Sequence, residues 1–372
     1  MAGSSFGTIF KITTWGESHG DGIGVVVDGC PAGIKFDEEL VQAYLNRRKP
    51  GQTRYSTPRK ENDSVKINSG LFEGRTTGTP ISMAVYNETQ RSADYSEIAG
   101  YYRPGHADFT YDAKYGFRDY RGGGRSSGRE TIGRVAAGAL ACAFLKELGI
   151  TVTAYTKSIG PIQASPTSRD TLIEKRDASP LFMPGKDASY AAEEYLNNTM
   201  KQFDSAGGII ECIVSGIPAG IGDPVFEKLD AALAKAVFSI GAVKGVEIGA
   251  GFSCAGATGS ENNDAFLDIR DGHAHKATNH AGGILGGISD GSDIVLRAAV
   301  KPTPSIFKEQ QTVLRDGSPV SVQVKGRHDP VIVPRAVVVV EAMTALVIAD
   351  ALLVNMGARM DRIREFYSFC RR

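Results

Sequence analysis

The amino-acid sequence predicts an α+β fold of two related halves, with mostly antiparallel sheets around helices. Three observations carry that expectation. Strand-like and helix-like periodicities are about equally represented, yet they do not alternate strictly as strand–helix–strand, which favours hairpin-paired strands over a doubly wound parallel sheet. The stretch "VDGCPAGI" at 27–34 returns as "VSGIPAGI" at 214–221, each time after a β-type run and before an amphipathic helix. Glycines punctuate the chain evenly, and no linker or low-complexity segment divides it. Residues 1–372 are therefore expected to form a single domain, with pseudo-repeated halves of roughly 1–187 and 188–372.

The elements follow in order. "GIGVVV" at 22–27 reads as a strand, followed by a Pro-Ala-Gly turn and an amphipathic helix over 37–48. "ISMAVYN" at 81–87 reads as the next strand. A helix is expected over 127–148, opened by a capping box in which Ser127 meets the third backbone N–H and Glu130 reaches back. Ile132, Val135, Ala136, Ala139 and Leu140 form its apolar stripe. A strand over 151–159 and a helix over 189–205 come next. The second Pro-Ala-Gly unit pairs a strand at 208–213 with a helix at 225–237. Strands are expected at 245–252, 293–300 and 320–324, and helices at 334–354 and 358–370. The apolar run 336–354 carries Glu341 and Asp350, which lipid would hold at a cost of several kcal/mol, so it reads as a core helix.

Lys and Arg number 42 and Asp and Glu 42, so the formal charge is zero and bulk attraction to nucleic acid or membrane is not expected. The first twenty residues lack a basic head followed by an apolar run, so no secretory signal is expected. Five scattered cysteines without a CxxC fit a reducing cytoplasm and argue against zinc or a disulfide framework.

Local charge is another matter. "RGGGRSSGRETIGR" at 121–134 presses Arg121, Arg125, Arg129 and Arg134 against glycines at a helix start. Free N–H groups and a positive dipole end make such a start an anion site. The loop has neither a Walker lysine nor the third Rossmann glycine, so a phosphate or carboxylate is expected rather than ATP or a dinucleotide. That absence also weakens a phosphotransferase reading. The segment 47–60 holds six Lys/Arg and no acid. Its turns at Pro50-Gly51 and Thr57-Pro58 favour a small polyanion over an RNA-binding strip, the rival reading. His19 in "GESHG" and His106 in "RPGHAD" sit in glycine turns near these arginines and suit general acids for an anionic leaving group. "HAHKATNH" at 273–280 has metal-like spacing without a supporting Cys or carboxylate set, and no metal is expected. Asp329 in "GRHDP" reads on its own as a turn carboxylate.

Taken together, "GESHGDGIGVVVDGCPAG", "RRKPGQTR", "RPGHAD", "RGGGRSSGRETIGRVAAGALA", "DSAGG", "KGVEIGAGF", "KPTPS" and "GRHDP" resemble the chorismate synthase family, in order over almost the whole chain. The resemblance implies a β-α-β sandwich with internal pseudo-symmetry, assembled as a cytoplasmic homotetramer. It implies a shikimate-pathway lyase that removes phosphate from 5-enolpyruvylshikimate 3-phosphate by anti-1,4-elimination to give chorismate. It also implies reduced FMN without net redox change. The FMN is reduced either by an intrinsic NADPH-dependent activity or by an external reductase, and the compact length points to the latter.

The same resemblance assigns residues. His19, with Ser18 beside it, matches the acid that protonates departing phosphate, and His106 the residue that protonates reduced flavin. Asp329, helped by Ser127, matches the group that draws a proton from flavin nitrogen 5, with Arg327 expected to favour its ionised form. Arg48, Arg54, Arg129 and Arg134 match positions lining the substrate pocket, where a charge-assisted contact is worth about 1.5–3 kcal/mol. FMN contacts carry over to Arg125, Ser126, Ser127, Gly241, Ala242, Gly286, Lys301, Pro302, Thr303, Pro304, Ser305 and Arg327. Pro304 stands where the family usually has a small polar residue.

Overall fold

The computed structural model describes residues 3–57, 61–87, 97–121, 123–270, 273–324 and 329–369. Arg327 and His328 lie outside them, as does Cys370. One five-stranded sheet joins β1 (Ser5–Phe6), β2 (Lys11–Gly16), β3 (Gly22–Asp28), β4 (Val65–Ile67) and β5 (Ile81–Tyr86) in the order β1-β2-β3-β5-β4. The other joins β6 (Thr151–Ile159), β7 (Ile162–Gln163), β8 (Gly208–Ser215), β9 (Val243–Ile248) and β10 (Ile294–Val300) in the order β9-β10-β8-β6-β7. Every ladder in both sheets is antiparallel. Between them lie α1 (Glu38–Arg48), α2 (Thr131–Glu147), α3 (Leu229–Phe238) and α4 (Val333–Asn355). Helix α2 packs on β3, α4 packs on β6 and β8, and the two helices pack on each other. The α+β sandwich is therefore as expected.

Period-2 alternation builds the inner faces. Ile23, Val25 and Val27 pair with Val85, Met83 and Ile81, and all six are buried. Ile210, Cys212 and Val214 pair with Ala298, Leu296 and Ile294 on the facing sheet, equally buried. Both Pro-Ala-Gly turns leave a central strand (β3 or β8) and lead toward a helix, and Gly33 and Gly220 share φ +95°.

Small residues let α2 and α4 meet closely. A Cβ built on Gly138 would stand 2.2 Å from the Ala342 Cβ. Helix α4 is long and apolar enough to cross a membrane, yet 72% of its most apolar window is buried within the protein. Its interior charge is fully engaged: Glu341 accepts from Arg47 (2.5 and 3.0 Å), Arg176 (3.2 Å) and the Ala154 N–H (3.0 Å). Asp350 accepts from the N–H groups of Thr8, Ile9 and Phe10 at 2.8, 2.7 and 2.9 Å, fastening the β1–β2 turn to the helix end.

Several boundaries differ from expectation. Two 3₁₀ turns, Gly124–Ser126 and Gly128–Glu130, precede α2, so the helix starts at Thr131 and not at 127. The second-half helix begins at Leu229 because Val225 takes φ +65°, which no helix admits. Strand β9 stops at Ile248, where Gly249 turns the chain with φ +58°. The helix expected over 189–205 runs Lys186–Lys201, that over 358–370 runs Met360–Phe369, and the strand at 320–324 is Pro319–Val322, paired with Gln310–Val313.

Gly138→Val should destabilise the fold by about 3 kcal/mol, because the crossing helices have no room for a side chain there. Gly357→Ala, where a Cβ meets nothing within 4 Å, should change stability by less than about 1 kcal/mol. Urea denaturation of both variants measures the difference, and equal midpoints would refute the close crossing as a constraint.

Candidate active site

The 3₁₀ turns before α2 spread the clustered arginines in different directions. The Arg125 guanidinium reaches back to β2, donating to Thr14 Oγ1 at 2.7 Å and the Gly16 carbonyl at 3.2 Å. Ser126 Oγ donates to the Gly123 carbonyl at 2.7 Å. Ser127 caps the second turn, its Oγ accepting from the Arg129 N–H at 3.3 Å. The expected capping box does not close, because the Glu130 carboxylate pairs with Arg134 at 2.9 Å, one helical turn on. Arg134 also donates to Ser239 Oγ (2.6 Å) and the Ser239 carbonyl (3.2 Å), just before Gly241 and Ala242. Arg121 pairs with Asp119 at 2.9 Å and holds that carboxyl below the usual range, with a smaller pull from nearby His19.

Arg48 and Arg129 converge on one carboxylate. Arg48, 1% exposed at the end of α1, donates to Asp63 Oδ2 at 2.6 Å, and Arg129 donates to Asp63 Oδ1 at 3.1 Å. Arg129 also pairs with Glu61 and donates to Asn87 Oδ1 at 2.7 Å. Asn87 in turn donates to the carbonyls of Gly20 (2.7 Å) and Glu17 (3.2 Å). That amide fastens the turn carrying Ser18 and His19 to Arg129. Arg54 stands apart: its side chain is 66% exposed, lies over the Tyr55 ring and pairs with Glu193 at 3.4 Å.

A second cluster forms where two turns dock. His106 Nε2 lies 2.7 Å from the buried Ser305 Oγ, and Lys301 Nζ donates to the Gly105 carbonyl at 2.8 Å. Gly105 takes φ +70°, and a Cβ there would stand 2.8 Å from the Pro304 Cβ, so the proline ring seats the histidine turn. The Lys301 N–H donates to the Ala242 carbonyl at 2.9 Å. Pro302 lies against Gly207, and Ser205 Oγ donates to the Thr303 carbonyl at 2.6 Å.

Asp329 connects the two clusters. The Ala206 N–H donates to the Pro330 carbonyl at 2.9 Å, beside the Ser205–Thr303 bond. Asp329 Oδ1 accepts from the Thr57 N–H at 2.7 Å, and Oδ2 from Arg335 at 2.6 Å. Arg335 also donates from Nε to the Arg48 carbonyl at 3.0 Å. The described cation on Asp329 is thus Arg335, six residues on, while the expected Arg327 lies outside the described residues. Beside this network lies a solvent-open recess lined in part by Arg47, Lys49, Thr53, Ser56, Phe182 and Arg335.

Among the described hydrogen bonds none joins Ser127 to Asp329, since Ser127 is engaged as a cap. Gly286 sits at the tip of the hairpin Ile284–Leu285 and Ile288–Ser289, which adjoins Gly222 and Leu229. Asp63, Asn87, Thr57 and Arg335 were not singled out from sequence. Only Asp63 carried a signal, shared with Glu61, as one of two acids that follow the basic 47–60 run.

The histidine-rich stretch has a structural explanation. Asp264 accepts from Thr278 Oγ1 (2.6 Å) and from the N–H groups of His280 (2.7 Å) and Ala281 (2.9 Å), and pairs with Lys276, which is 1% exposed. Burial pushes the Asp264 carboxyl up, but these hydrogen bonds outweigh it and bring it down to about 2. No group of three or more metal-ligating side chains occurs among the described residues.

Comparison with known proteins gives a consistent answer. The chorismate synthase family profile matches residues 10–353. A chorismate synthase of Lachnoclostridium phytofermentans is 68% identical over 99% of this chain and 100% of its own length. One from Methanosarcina mazei is 56% identical over 95% and 97%. A crystal structure of a chorismate synthase superposes with TM-score 0.76 at 30% identity, covering 98% of this chain and 97% of its own.

Asp264→Asn should cost stability at neutral pH and progressively less as pH falls below about 4, with roughly half of the cost left near pH 3. A carboxyl depressed to about 2 contributes stability that is complete above its unfolded value of 3.8 and is lost as pH falls through 2. Thermal melts of both proteins between pH 7 and pH 3 measure this. A difference that stays constant over that range would refute the ionic role.

Proposed function

The chain belongs to the chorismate synthase family, and on that premise we propose that it eliminates phosphate with the help of reduced FMN, using the residues just described. Its reaction is that of a lyase, converting 5-enolpyruvylshikimate 3-phosphate to chorismate in the shikimate pathway. The observation that carries the finer reading is the continuous set of bonds from the His19 turn through Asn87, Arg129, Asp63 and Arg48 to Arg335 and Asp329. The substrate has two carboxylates and a phosphate. Arg48, Arg129 and Arg134 are the cations proposed to meet them, with Arg54 at the exposed edge.

The residues fit a flavin mononucleotide. Thr303 Oγ1 is buried with no partner among the described residues, and Gly241 and Gly286 leave open space where a side chain would stand. Lys301 adds a cation for a single phosphate. Arg125, Ser126, Ser127, Gly241, Ala242, Gly286 and Lys301 through Ser305 are the residues proposed to hold it. Bound reduced FMN would supply an electron that helps phosphate leave and would take up the non-acidic hydrogen of ring carbon 6.

The protein's own part is binding and proton placement. His19, beside Ser18, is proposed to hold the proton given to the departing phosphate. His106, whose Nε2 lies 2.7 Å from Ser305 Oγ, is proposed to protonate the reduced flavin. Asp329, which accepts from the Arg335 guanidinium and the Thr57 backbone N–H, is proposed to draw the proton from flavin nitrogen 5. A cytoplasmic homotetramer supplied with reduced FMN by an external reductase completes the proposal.

Turnover should need reduced FMN and should not consume reductant in proportion to product. Chorismate formed per reducing equivalent under anaerobic conditions is the measurement. Activity with oxidised FMN in air, or one equivalent spent per product, would overturn it.

Asp329→Asn keeps an acceptor for Thr57 but cannot take a proton. It should bind FMN and substrate while turnover falls on the order of 10²–10⁴-fold, with His19→Ala and His106→Ala each losing about 10²-fold. Anaerobic turnover beside ligand titrations separates the roles. Near-normal turnover of Asp329→Asn would make Asp329 a turn residue, and loss of both ligands would make it structural.

A further inference from the structure

We infer that Asp63 is a positioning residue that sets the spacing of Arg48 and Arg129 for the anionic groups of the substrate. The inference rests on the reading of the site given above. The Asp63 side chain is 0% exposed, a location in which a lone carboxylate would be strongly disfavoured. Its two oxygens are divided, Oδ2 to Arg48 at 2.6 Å and Oδ1 to Arg129 at 3.1 Å. The two guanidiniums come from different elements, the last turn of α1 and the 3₁₀ turn before α2. Among the described residues no other side chain bridges them. A rigid planar carboxylate between two planar cations fixes both their separation and their tilt.

The backbone agrees. Asp63 takes φ +48°, the left-handed region that aspartate visits more readily than most residues but still at a cost. A strained, buried, charged residue persists only where its surroundings over-determine it, and such residues gather at functional sites. The sharing also leaves donors over. Arg48 Nε is buried and has no partner among the described residues, an N–H that calls for an acceptor from outside the chain.

A merely neutralising Asp63 would have the opposite signature. Removing its charge would raise the local positive potential and tighten anion binding, whereas removing a spacer misaligns the arginines and weakens it. Asp63→Asn, which sets an amide N–H₂ against one guanidinium, and Asp63→Glu, which keeps the charge but moves it by one methylene, separate the two. Calorimetric binding of 5-enolpyruvylshikimate 3-phosphate and, separately, of FMN is the readout, with thermal melts and anaerobic turnover alongside. Asp63→Asn should weaken substrate binding by about 10- to 100-fold, the scale of one charge-assisted contact, with FMN binding within about threefold of wild type. Asp63→Glu should weaken the substrate by about 10-fold without lowering Tm by more than about 2 °C, so the test survives if the Asn variant folds poorly. Tighter substrate binding by Asp63→Asn, or unchanged binding by both variants, would overturn the inference. So would parallel loss of substrate and FMN. A wild-type protein that neither binds the substrate nor forms chorismate would instead overturn the reading of the site itself, and the inference with it.

Discussion

Two helices pass between the sheets with no side chain separating them at Gly138 and Ala342, and much of the site follows from that crossing. It leaves the starts of α2 and α4 facing the same segment of chain. Arg48 donates to the Gly128 carbonyl just before α2, and Arg335 in the first turn of α4 donates to the Arg48 carbonyl. Two helix N-termini, each a positive dipole end, thus adjoin a stretch already rich in arginine. Bulk at the crossing would disturb the site without touching a single residue in it.

Consecutive arginines at the end of α1 show how one turn serves two purposes. Side chains one residue apart diverge around a helix, so Arg47 turns to Glu341 in the interior while Arg48 turns to Asp63 at the site. The interior pair has every oxygen engaged and anchors α1 to α4. In each pair the arginine Nε is buried without a partner among the described residues. The full burial of Arg48 and the partial burial of Arg47 are each offset by a carboxylate, Asp63 shared with Arg129 and Glu341 shared with Arg176.

How far the sequence could be read depended on how local the cause was. Inward-facing residues of β3, β5 and β8 were legible because alternation records burial directly. Ordered motifs were enough for the family. The start of α2 was misread because Glu130 prefers Arg134 to the Ser127 backbone, a choice that helix geometry makes between two nearby partners. Val225 at positive φ carries no sequence mark. Asp63, Asn87 and Arg335 were missed because contacts that tie them into the site, to Arg129, Arg129 and Arg48, span 66, 42 and 287 positions, and no pattern in one chain encodes such pairings.

The grip of Asp350 on Thr8, Ile9 and Phe10 also orders events in time. Those bonds span about 340 positions, among the longest separations the chain offers, and the entropy of closing that loop is met only once the C-terminal helix docks. A ribosome-bound chain that has not reached residue 350 carries an unfastened N-terminal edge strand, with three backbone donors seeking partners. The turn that joins the first two strands is thus among the last parts of its sheet to be fastened, and a nascent chain stalled in α4 would leave those three N–H groups open to its neighbours.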